Sequence, residues 1–191
     1  MKISECQQIL AASLSSTRIA AAESSVLWRV ARRVYGMASA YESDGLTFSA
    51  SGDPVNALAG FLYGLGWLHF GYSYGVLIRT GGASCPFGGS PEILPAKYRG
   101  QLEEKTRRYC RLLDTARSSV TVGPDPETAS FAFSGQVLCI AGAYARQGRI
   151  FMDCGKFEDA LACFSYGHGW LDAAVIAGLL RITAERELFT I

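Results

Sequence analysis

The stretch SGDPVNALAGFLYGLGWLHFGYSYGVL, residues 51–77, aligns without a gap on CGKFEDALACFSYGHGWLDAAVIAGLL, residues 154–180, at an offset of 103. Ala57, Leu58, Ala59, Phe61, Tyr63, Gly64, Gly66, Trp67 and Leu68 meet their identical partners Ala160, Leu161, Ala162, Phe164, Tyr166, Gly167, Gly169, Trp170 and Leu171. Upstream, AYESDGLTF (40–48) and AYARQGRIF (143–151) stay in the same register. Matches spread over about forty positions without a gap imply that a whole structural unit has been duplicated, and a repeat constrains the architecture before any single element does.

The unit reads as helices. Tyr98, Leu102, Tyr109, Leu112, Leu113 and Ala116 recur at three- and four-residue spacing with charged residues between them, the pattern of an amphipathic helix. The prolines and glycine of VGPDPE (122–127) break it. A second helix is predicted over about 128–153 and, past Gly155, a third over about 156–185. The first copy repeats the plan over about 3–22, 23–50 and 53–79, with Asp53 and Pro54 as N-cap and first-turn residues. No segment alternates well enough to compete as a strand. The expected fold is all-α: two tandem three-helix units, residues 1–79 and 95–191, joined by a linker over 80–94 and packed into one body with pseudo-two-fold symmetry.

On a helical wheel at 100° per residue, Ala57, Phe61, Gly64, Leu68, Gly71 and Gly75 form one narrow stripe, matched by Ala160, Phe164, Gly167, Leu171, Ala174 and Gly178. Glycine inside a helix costs about 1 kcal/mol against alanine, so small residues gathered on one face point to a close helix neighbour. Ala59, Tyr63, Gly66 and Trp67 lie on a different side. The third helix is therefore expected to pack on two faces, once in its own copy and once against its counterpart.

Composition narrows the functions. With 18 Lys and Arg against 17 Asp and Glu, the chain lacks the basic excess on which most nucleic-acid binders rely, so nucleic acid is an unfavoured partner. Arg29, Arg32 and Arg33, like Lys105, Arg107, Arg108 and Arg111, read as solvated helix faces. Residues 1–95 carry about a third of the charged side chains, which hints at a contact face for an unidentified protein partner or a second copy. Residues 54–78 hold no charged side chain, yet Asn56, His69 and Ser73 dilute them below a membrane span. The six cysteines form no CxxC pair and suit a reduced, cytoplasmic chain, and MKISECQQIL lacks the apolar run of a signal peptide. No metal-ligand spacing or cofactor motif is present, so neither is expected. The glycine-rich TGGASCPFGGSPE (80–92) lacks the GK[ST] ending of a phosphate loop and reads as linker, with Cys85 inside it.

Chemistry-bearing side chains cluster on the third helices. His168 and Asp172, four residues apart, share a helix face and can form a His–carboxylate pair, whereas the first copy has Leu65 and His69 there. Tyr63, Trp67, Tyr72 and Tyr74, with Tyr166 and Trp170, could stack a base or flat ligand, although core packing is the better reading of them, and buried Tyr and Trp need a hydrogen-bond partner such as Asp172 or His168. The candidate binding residues are thus Tyr63, Trp67, His69, Tyr166, His168, Trp170 and Asp172, with no catalytic residue assigned. The expected role is a non-enzymatic module acting through protein contact or self-association. The alternatives are a small ligand or RNA bound at the aromatic and basic residues, and an enzyme centred on His168 and Asp172.

The string GKFEDALACFSYGHGWLDAAVIAGL, with Tyr144 and Gly148 before it, resembles domain-of-unknown-function family 357, with residues 95–185 looking like a complete member. The resemblance implies a small three-helix bundle and a cytoplasmic, archaeal protein, and it implies no activity. His69 and Phe70 stand where the family pattern has Asp and Ala, so whatever Asp172 does is expected to be missing from the first half.

Overall fold

The computed structural model describes residues 3–81 and 94–190; most of the expected linker, with Cys85, lies outside them. Six helices carry the fold: α1 (Ile3–Ser15), α2 (Val26–Ala50), α3 (Pro54–Ser73), α4 (Arg99–Ser118), α5 (Ala129–Asp153) and α6 (Phe157–Ile176). Local chemistry sets their starts. Ser25 and Thr128 accept hydrogen bonds from Trp28 N and Phe131 N at the heads of α2 and α5, and Asp53 accepts from Asn56 N ahead of Pro54. Helix α6 has no side-chain cap, but Glu158 and Asp159 in its first turn answer the helix dipole.

The third helices are shorter than the sequence suggests. Gly75 and Gly178 adopt φ of 79° and 74°, a left-handed conformation that costs residues with a Cβ energy, and so end α3 and α6. The chain then forms strands absent from the sequence reading: β2 (Leu77–Arg79) pairs antiparallel with β1 (Thr17–Ile19), and β4 (Leu180–Ile182) pairs with β3 (Val120–Val122). The first helix likewise stops at Ser15 rather than near residue 22. Each unit is a three-helix bundle tied at one end by a three-residue ribbon, too short for its alternation to register.

Helices α3 and α6 form the centre. Ala57 through Leu68 of α3 and Ala160 through Ala174 of α6 are buried without a break. A Cβ on Gly64 would meet Leu10, Ala38 and Tyr41, and one on Gly167 would meet Leu113, Ala141 and Tyr144, so the small stripe faces each helix's own unit. The opposite face makes the crossing. A Cβ on Gly66 would lie 2.5 Å from Tyr166 O, and one on Gly169 would lie 2.5 Å from Tyr63 O. Only residues without a Cβ allow that approach, and its reciprocity is the pseudo-two-fold relation expected from the repeat. Most of the uncharged run of α3 is buried in these two contacts. No helix among the described residues is long and apolar enough to cross a membrane.

Candidate functional site

The polar side chains of α3 and α6 meet across the crossing in two related clusters. Tyr63 OH donates to Asp172 Oδ2 at 2.5 Å. Its counterpart Tyr166 OH lies 2.7 Å from His69 Nδ1, and His69 occupies the position equivalent to Asp172. The sequence reading that the first copy would lack the role of Asp172 is therefore corrected: an imidazole takes the opposing tyrosine in place of the carboxylate. The seven candidate residues all fall at this seam, in two groups. Trp67 and Trp170 are core, 0% and 3% exposed, and neither indole N–H has an acceptor, so the partner expected for them is not His168 or Asp172.

The Asp172 cluster is closed. His168 Nε2 lies 3.8 Å from Asp172 Oδ1 and 3.1 Å from the Leu188 carbonyl, an acceptor that requires the proton on Nε2. Thr190 N–H donates to Asp172 Oδ2 at 3.0 Å, and Phe189 is buried against the His168 ring. The segment after β4 thus covers the pair. Burial raises the Asp172 carboxyl, opposed by His168, Tyr63 and Thr190, and burial lowers His168 against the pull of Asp172. Burial and the adjacent Asp172 also hold the Tyr63 hydroxyl well above its usual range. A pocket of about 280 Å³ lies alongside, bounded by Tyr41, Tyr63, His168, Leu188 and Thr190.

The His69 cluster opens into a larger pocket of about 630 Å³, walled by His69, Tyr72, Ile78, Arg79, Tyr166 and Trp170. Arg79 Nη2 lies 3.2 Å from His69 Nε2. A guanidinium only donates, so Nε2 accepts, the neutral ring carries its proton on Nδ1, and that N–H points at Tyr166 OH. Burial, then the charge of Arg79, lowers His69 to about 4, consistent with this tautomer. The guanidinium stacks 4.7 Å over the Tyr72 ring. The Tyr72 hydroxyl is tied 2.5 Å from Thr17 Oγ1, and Thr17 pairs with Arg79 in the ribbon. Arg79 is the residue that sequence reasoning missed; its counterpart in the repeat is Ile182, and that break in the apolar match was the available signal.

Lys105 is a further correction. It is 7% exposed rather than solvated, donates to Asn56 Oδ1 and lies 5.0 Å over the Tyr109 ring, while Arg107, Arg108 and Arg111 are exposed as expected. Among the described residues, no group of three or more His, Cys, Asp or Glu side chains could hold a metal.

Fold and seam define a duplicated three-helix module whose copies share one core through their third helices. The family described as "Protein of unknown function (DUF357)" matches residues 7–77 and again 108–180, and the chain belongs to that family as a tandem pair. No curated protein matches the chain, and no solved structure does.

Proposed function

We propose that the protein is a non-catalytic module that binds a small organic molecule in the pocket between the α3–α6 seam and the first ribbon. The observation that carries this reading is the pocket itself: about 630 Å³, within the usual range for ligand sites, at an interface between the two units, with aromatic walls and few polar groups. The enzymatic alternative has less support. His168 and Asp172 are covered by Leu188, Phe189 and Thr190, and burial with Asp159 nearby pushes the Cys163 thiol up to about 12. No disulfide joins cysteines among the described residues, which supports a reducing cytoplasmic setting, and an archaeal source belongs to the same proposal.

The test is a titration of isotope-labelled protein with benzamide, phenol, benzoate and phenyl phosphate, following backbone amide resonances. Saturable shifts confined to Tyr72, Gly75, Ile78 and Arg79 are expected. If none of the four moves those resonances at millimolar concentration, the reading falls. A second reading, contact with a protein partner or a second copy, is favoured by one observation: Val26 and Leu27 at the head of α2 are 64% and 47% exposed. Light scattering of wild type and Leu27→Lys decides it, since a monomer in both cases removes self-association.

A further inference from the structure

We infer that the ligand of this pocket is an organic anion, a carboxylate or phosphate ester, held by the guanidinium of Arg79. The inference rests on the pocket reading above and adds the chemical class. Arg79 Nε is buried with no acceptor, and among the described residues the one side-chain contact of the guanidinium within hydrogen-bond distance is the neutral His69 ring. No Asp or Glu lines the pocket, and no ion pair reaches Arg79 among the described residues. A buried N–H without an acceptor is costly, and the half-buried Arg79 side chain has no anion beside it among the described residues. No described residue supplies that acceptor, and a ligand in the pocket can bring an anion to the rest of the guanidinium.

Its geometry is set in advance. Tyr72 lies under the guanidinium plane, His69 takes Nη2, and the pairing of Thr17 with Arg79 fixes the backbone beneath. A planar fork held by its face and one corner keeps its remaining edge for a two-oxygen partner, the arrangement in which Arg binds carboxylate or phosphate. Ala20, Leu77 and Ile78 form the apolar floor and call for a hydrocarbon or ring portion on the same ligand.

The two halves of the seam argue the same way by contrast. At Asp172 the protein presents a carboxylate, and the chain's own Thr190 N–H comes to it as donor. At the equivalent His69 end it presents a cation and donors, and an acceptor is the complement. Ile182 in place of Arg79 confines the feature to the first unit.

Dissociation constants for benzoate, phenyl phosphate and benzamide, read from the amide shifts, test this. Either anion should bind at least about tenfold more tightly than benzamide, and Arg79→Gln should remove that advantage, the loss of one charged hydrogen bond being worth about tenfold or more. The order of benzoate and phenyl phosphate separates a carboxylate from a phosphate ligand. Because Arg79→Gln could unsettle the ribbon, a second pair uses the exposed Ile78: Ile78→Asp should weaken the anions by about tenfold and Ile78→Asn should not. Benzamide binding as well as the anions, with no effect of either variant pair, overturns the anion assignment and leaves the pocket standing. If no compound shifts the pocket resonances, both fall.

Discussion

Substituting Gly66 by Ala tests the crossing on which the architecture depends. The added Cβ would sit 2.5 Å from Tyr166 O and 3.2 Å from Gly169 Cα, both backbone atoms that no rotamer change can remove. Ordinary contact begins at 3.4 Å, so α3 and α6 must separate locally by as much as 0.9 Å (3.4 less 2.5). A gap of that size forfeits roughly a quarter to a half of the dispersion energy of each atom pair at the seam, and overpacking of this kind costs about 1–3 kcal/mol. It also stretches the bond from Tyr63 to Asp172, now 2.5 Å. The intrinsic gain of alanine over glycine in a helix offsets about 1 kcal/mol. With the stretched bond included, net destabilisation of about 1–2 kcal/mol is expected, a fall in Tm of roughly 2–8 °C for a chain of this size. Gly36 and Gly135 are also helical but have nothing within 4 Å of a built Cβ, so Ala at either should stabilise by about 0.5–1 kcal/mol. Denaturant melts of the three variants give the comparison. Gly66→Ala matching or exceeding the stability of Gly36→Ala would refute the close crossing.

Tyr63→Phe removes one of the two donors on Asp172 Oδ2, whose Oδ1 already lacks a hydrogen bond, and should cost about 1.5–3 kcal/mol in denaturant melts; Tyr166→Phe breaks a bond to a neutral ring and should cost about 1 kcal/mol. Between pH 6.5 and about 4 the unfolded chain takes up a proton that folded His69 refuses, so stability falls as pH falls, by at most about 3 kcal/mol. His168 acts in the same sense and the raised Asp172 in the opposite one, so melts of His69→Gln isolate the His69 share as a shallower decline. Gly75→Ala places a Cβ in open space but at φ of 79°, and should cost about 1–2 kcal/mol from backbone strain alone, with amide exchange in Leu77–Arg79 accelerating.

The repeat made the core legible. Equal residues at equal offset meant equal environments, and Gly66 with Gly169 could be assigned to a face distinct from Gly64 and Gly167 because helical periodicity separates them by angle. What escaped was whatever depends on residues far apart in the chain. Thr17 finds Arg79 across the whole first unit, and three residues on each side leave no alternation to detect. Helical periodicity extends α3 and α6 too far because Gly75 and Gly178 fall in register with the packing stripe, when their positive φ makes them stops. The charged neighbours of Lys105 point it to solvent, whereas Asn56, 49 positions earlier, supplies the acceptor that allows it inside. His69 was read as a departure from its counterpart. Its partner sits on the other copy, where Tyr166 accepts the ring N–H much as Asp172 accepts the hydroxyl of Tyr63.

Duplication explains why the candidate ligand site is single in a molecule built of two like units. A shared core constrains the seam: Tyr63, Gly66 and Trp67 cannot change without their counterparts Tyr166, Gly169 and Trp170, because each touches the other copy or its own image. The rim is not so constrained. Position 69 or 172 needs only to satisfy a tyrosine hydroxyl, and a carboxylate or an imidazole does so equally, yet the two choices reverse the polarity of what surrounds them. A carboxylate at 172 draws a backbone donor and can be covered by the chain's own Thr190. A neutral imidazole at 69 can accept from an arginine, and an arginine held there by Tyr72 keeps an N–H that no described residue satisfies. The asymmetry between His69 and Asp172, a small matter for the fold, is therefore what sets the proposed anion site at one end of the seam apart from the covered carboxylate at the other.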